Sequence, residues 1–117
     1  MTGLIEFNFP AFNAAEARLL MLRWEVENPV VNGADKTLPW DWYMRRAIEQ
    51  VVRCNSIALL PGWERSRGAR LEARIAVGLD LDAYLIYPNE PDDSDVLVPF
   101  SHVDILGAIR YHEERSA

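Results

Sequence analysis

A chain of 117 residues, half of them hydrophobic and about a quarter charged, has the size and composition of one globular domain. No apolar run approaches a membrane span, no basic-then-apolar leader opens the chain, and the single cysteine, Cys54, excludes an internal disulfide and a multi-cysteine zinc site. The net charge of −6 hides an asymmetry: seven arginines face three acids between residues 45 and 74, and two arginines face nine acids from residue 75 onward.

A basic centre suits a small anionic ligand, and the acidic tail argues against a nucleic-acid polymer as partner. Near the start, Pro10 fits the first turn of a helix with Asn8 close to its cap. Phe12, Ala15, Leu19 and Leu22 then recur at helical spacing, which predicts a helix to about Trp24. Glu25 to Asn28 alternates and stops at Pro29, the pattern of a short strand. Turn chemistry in Asn32, Gly33 and Asp35 makes residues 32–39 an expected exposed loop. A second helix is expected over 40–53, with Met44, Ala47, Ile48 and Val51 as its buried stripe. Trp40 and Trp42 fall on different faces of it, so they cannot both be core. A partly buried structural tryptophan and a pocket-lining one are the two readings.

The stretch from Cys54 to Leu79 organises the chain. Ser56 to Leu60 is an uninterrupted apolar run, as in a parallel strand buried on both faces, so 57–60 is expected to be the most buried strand. Pro61 and Gly62 end it, and Ser66 offers an N-cap for a helix over 67–79. Strand, tight loop and helix N-terminus form the unit with which α/β proteins bind anions. Within that helix Glu72 has only Gly68, Ala69, Ile75 and Ala76 one turn away, all uncharged. It shares a face with Ala69, Ala73 and Ala76, small residues that admit another group close to the backbone. An ordinary surface or distantly paired glutamate is the plain reading, and a site carboxylate is the sharper one. Arg67, Arg70 and Arg74 fall on a different face and read as solvated.

Beyond it, residues 83–87 form a short apolar strand closed by Pro88, and 89–95 an acidic loop. An edge strand is expected over 96–100, and Ser101 caps a last helix carrying Ile105, Leu106 and Ile109. Helices alternating with short apolar strands point to an α/β domain with a mainly parallel sheet.

The block SIALLPGWERSRGARLEARIA, residues 56–76, resembles the signature region of short, often phage-encoded proteins related to nucleoside 2-deoxyribosyltransferases. MTG, FNFPAFNAA, EVENP and DWYMRR match the same family in the same order, so the resemblance spans about residues 1–87. It implies one three-layer flavodoxin- or Rossmann-like domain over residues 1–117, working on a nucleoside or nucleotide without a cofactor. The lone cysteine and two distant histidines already give a metal site little support, and the cytoplasm is the default compartment. The resemblance further implies cleavage or transfer of an N-glycosidic bond, with Glu72 matching the family's nucleophile. Glu64 and Asp41 are the nearby carboxylates for proton transfer. Amides of the 62–68 loop, with Gly62, Ser66 and Gly68, would hold phosphate together with Arg65 or Arg67, and Trp63 would lie against base or sugar or cap the loop. Asn8 and Asn55 complete the expected ligand contacts, Asn55 standing where relatives often carry Asp. Relatives also open with a strand ending in Gly-Pro before the MTG segment. A chain beginning at Met1 is therefore expected to lack the usual first strand and to cover its sheet edge as a homodimer or larger assembly. Trp24, Trp40, Trp42 and the 40–53 helix are the expected contributors. The alternative is a catalytically inactive nucleotide-binding or host-interaction protein of phage origin.

Overall fold

In the computed structural model, which describes residues 9–33, 35 and 37–116, five helices accompany a three-stranded mixed sheet. Helix α1 (Phe9–Met21) ends where Arg23 turns into the left-handed region at φ 69° and the amides of Arg23 and Trp24 close back on Leu20 and Leu19. Its expected cap, Asn8, lies outside the described residues.

The expected strand at 25–28 is absent; the chain runs irregularly into a single 3-10 turn, Pro29–Asn32. The physical reason is Asn28. Its buried amide donates to Asn13 Oδ1 (3.3 Å) and Glu16 Oε1 (3.2 Å) of α1. Its carbonyl accepts from Gln50 Nε2 (3.3 Å), and Gln50 Oε1 accepts from Asn32 Nδ2 (3.0 Å). Alternation in EVEN thus serves a side-chain amide network rather than a ladder. The network joins α1 to α2 (Trp40–Arg53), which buries Tyr43, Met44, Ala47, Gln50 and Val51. Tyr43 in turn donates its hydroxyl to Asp35 O (2.7 Å), pinning the preceding loop.

Strand β1 (Ser56–Leu59) pairs in parallel with β2 (Asp82–Ile86), Ile57 beside Ala83 and Leu59 beside Leu85. Between them runs α3 (Arg67–Gly78), capped as expected by Ser66, whose hydroxyl accepts from the Ala69 amide at 3.2 Å. After β2 come a one-turn helix α4 (Asp93–Val96), strand β3 (Leu97–Pro99) antiparallel to β2, and α5 (His102–Ser116). Arg18 holds the acidic loop to α1, donating to Glu90 O (2.8 Å) and meeting Asp93 at 2.6 Å.

Two expectations about the sheet are corrected. Among the described residues it has one parallel and one antiparallel pair, and β1 is at its edge, with Ala58 exposed. The central strand is β2. Side-chain alternation sends Ala83 and Leu85 into one core cluster, with Leu59, Trp63, Ala69, Ala73, Ile105 and Ile109, and Ile86 into another, with Ala15 and Val96. No helix among the described residues is long and apolar enough to cross a membrane.

Candidate functional site

Pro61 and Gly62 turn the chain away from β1, Gly62 at φ 85° and ψ 5°, a left-handed conformation that suits glycine. A single 3-10 turn, Trp63–Arg65, follows and Ser66 begins α3. The loop satisfies much of its own backbone. The amide of Trp63 donates to Leu60 O (3.0 Å), that of Arg65 to Gly62 O (3.1 Å) and that of Ser66 to Trp63 O (3.0 Å). These three amides are therefore committed, which corrects the expectation that the 62–68 loop as a whole cradles phosphate. Arg67 and Gly68, in the first turn of α3, carry the amides that helix geometry leaves outside the i→i−4 ladder.

Of the two readings of Trp63, the structure favours the one in which it serves the loop. Its ring is buried in the core, edge-on to Phe100 at 6.1 Å between centroids, so it anchors the loop rather than presenting a face to a ligand. Glu64 is half-buried, and its carbonyl accepts from Arg70 Nη1 at 2.9 Å. Arg65 is exposed and folds back over Gly62.

Nor is the arginine face of α3 simply solvated. Arg74 grips both oxygens of Glu113 on α5 (2.9 and 2.6 Å), and Arg70 Nε approaches the same carboxylate at 3.6 Å. The hydrogen bonds from Arg74 hold the Glu113 carboxyl below its ordinary value. Arg67 instead lays its guanidinium on the Trp40 ring, 3.8 Å from the centroid. That contact brings together the first turns of α2 and α3, two helix ends that both favour negative charge. Asp41 is on the α2 side, exposed and 3.8 Å from Arg45. The sequence offers Trp40 as core, as pocket lining or as a contributor to an assembly surface; its platform role is the functional feature that periodicity misses, since nothing in helical spacing points from residue 40 to residue 67. Its indole Nε1 is shielded from solvent without a hydrogen-bond partner among the described residues.

Glu72 is on the inward face of α3, 7% exposed, among Gly68, Ala69, Ala73 and Ala76, all buried. It stands five residues, about 7 Å along the axis, beyond the first residue of the helix. The sequence thus placed its neighbours correctly. Asn55, by contrast, precedes β1, at the other end of the strand from the 61–68 loop, and is exposed. It is not brought to the loop, and Asn8 lies outside the described residues. Burial, and then the charge of Glu27, push the Cys54 thiol up, which works against a reactive thiolate. Among the described residues no group of three or more His, Cys, Asp and Glu side chains is placed to hold a metal.

Residues 1–84 match a family described as Domain of unknown function (DUF4406). The chain belongs to this family. No curated protein and no solved structure matches it. The family segment takes in α1, α2, β1, the loop and α3, and stops inside β2. Every residue of the candidate site is therefore family territory, while β3 and α5 are not.

Proposed function

We propose that the protein cleaves or transfers the N-glycosidic bond of a nucleoside or nucleotide, with Glu72 as nucleophile. The observation that carries the reading is a buried carboxylate on an alanine-lined helix face, a turn and a half past the loop that follows a parallel strand. The alternating burial along β2 supports the three-layer, Rossmann-like arrangement that this reading calls for.

In the proposed reaction a Glu72 oxygen attacks C1′ as the bond to the base breaks. The electron pair of that bond goes to the base nitrogen, which takes a proton from an acid, for which Glu64 and Asp41 are the candidates. Water, or the nitrogen of a second base, then displaces Glu72 from C1′. A 5′-phosphate would rest on the free amides of the α3 first turn, with Arg67 leaving Trp40 or Arg65 leaving Gly62 to meet it. With three loop amides already committed, an unphosphorylated nucleoside is the better first substrate.

The test is incubation with a panel of deoxynucleosides, ribonucleosides and their 5′-monophosphates, following free base by chromatography. Base release is expected from at least one, and Glu72→Gln should lower it on the order of 10³-fold while ligand binding is kept. Unchanged release by Glu72→Gln, or a variant that no longer folds, refutes the assignment. Saturable thermal stabilisation without base release would instead favour the non-catalytic nucleotide-binding alternative.

A further inference from the structure

Helix α5 has two faces, and among the described residues only one is used inside the chain. Ile105 and Ile109 enter the core, while on the opposite side Val103, Gly107 and Tyr111 recur every fourth residue as one outward row. Val103 is 79% and Tyr111 63% exposed. Gly107 is a notch in the middle of this row: a Cβ built there would meet nothing within 4 Å. Nothing among the described residues therefore calls for glycine at this place, although glycine is a poor residue for a helix interior. Arg115 lies against the Tyr111 ring, 5.2 Å from its centroid, one turn on.

A partner for this face has to fill the notch and meet a charge of opposite sign at each end of the helix, Asp104 near the start and Arg115 near the finish. A second copy of α5, run antiparallel, does both. We propose that the outward face of α5 is the interface of a homodimer, with Tyr111 of each copy seated over Gly107 of the other. In that register Arg115 of one copy faces Asp104 of the second, twice by symmetry, on the same flank of the contact. Within one chain the two residues are eleven positions apart, about 16 Å along the helix, and cannot pair. A parallel arrangement would instead set Asp104 against Asp104. Glu114, on the same face, has Arg110 one turn back on its own helix as a neighbour of opposite charge. A chain of net charge −6 with acids on this face is a poor match for an anionic lipid surface.

This inference stands apart from the glycosidic reading, and α5 lies outside the family segment. It also relocates the expected assembly surface, since Trp40 and Trp42 carry Arg67 and Arg46 on their rings. One helix face is small beside the roughly 800 Å² per partner of a standard interface, so the dimer is a weak one.

Sedimentation equilibrium from low micromolar to about 1 mM tests it. The mass should rise from 13.4 kDa toward twice that value. Gly107→Leu and Tyr111→Glu should each move the association midpoint at least about tenfold higher in concentration. The melting temperature of dilute Gly107→Leu should not fall, because the notch is open and leucine favours helix. Asp104→Arg and Arg115→Asp should each weaken association, and the double reversal should restore it even if either variant loses stability. A monomer throughout the range overturns the proposal, as does a dimer indifferent to Gly107→Leu or a double reversal weaker than both single ones.

Discussion

Replacing Ile109 by alanine asks whether the tail beyond the family segment is integral to the core. Ile109 is 1% exposed and packs with Leu59, Trp63, Ala69, Ala73, Ala83 and Ile105. The substitution removes three buried carbons, about 2.4 kcal/mol at 0.8 kcal/mol each. A cavity contribution adds to this, and here little can relax into the hole, because three of the neighbours are alanines whose only side-chain atom is fixed to the backbone. A total of about 3–4 kcal/mol is expected, inside the range found for such truncations. Against a typical stability of roughly 5–15 kcal/mol, that is a large fraction. The melting temperature should fall by about 12–16 °C in a domain of this size. Urea titration is the assay: the midpoint should drop with the slope unchanged. Val103→Ala, on the exposed side of the same helix, serves as control and should stay within about 0.5 kcal/mol. A loss below about 1 kcal/mol for Ile109→Ala would show that α5 is not packed as described.

Glu113→Gln tests the clamp between α3 and α5. Because the folded carboxyl titrates below its ordinary value of 4.5, its contribution is present above that value and lost as pH falls through the folded one. The melting temperature of the parent should therefore exceed that of Glu113→Gln at neutral pH, and the gap should close as the pH is taken below the folded carboxyl's own titration. Gly62→Ala forces an alanine into φ 85° and sets its Cβ 3.2 Å from Arg65 Nη2. The exposed arginine can swing away, so the cost is the backbone's, about 1–2 kcal/mol, and should persist in an Arg65→Ala background. Ser66→Ala removes the α3 cap and should cost about 0.5–2 kcal/mol in a urea melt.

What could be read from the residues was mostly local. Ser66, the α3 helix and the small-residue face around Glu72 follow from propensity and period, and the structure has them at those positions. Ser101 likewise caps α5, accepting from the Asp104 amide at 3.1 Å. What could not be read depends on partners far along the chain. Glu113 is 39 residues from Arg74, so helical spacing could only leave the arginine exposed. Ser56 to Leu60 is apolar enough for a strand buried on both faces, yet Ala58 faces solvent at a sheet edge, and an alanine does not distinguish the two. The EVEN alternation mimics a strand because its period is two, while its last residue is taken up by hydrogen bonds to α1 and α2.

Trp63 joins the two parts of the molecule. It belongs to the family segment and sits in the loop that leads to Glu72, yet its ring packs against Phe100 and shares a cluster with Ile105 and Ile109, all from the tail. A side chain locked in the core cannot swing to a ligand, but it fixes where the neighbouring backbone stands. Gly62 and Ser66, on either side of the 3-10 turn that carries it, inherit that position. The first turn of α3 follows from Ser66, and the Arg67 contact on Trp40 follows from that turn. The shape of the candidate site is therefore set partly from outside the family segment, and because Ile105 and Ile109 pack with both Trp63 and the alanines beside Glu72, a change in the α5 core face should be felt at the loop and on the Glu72 face together.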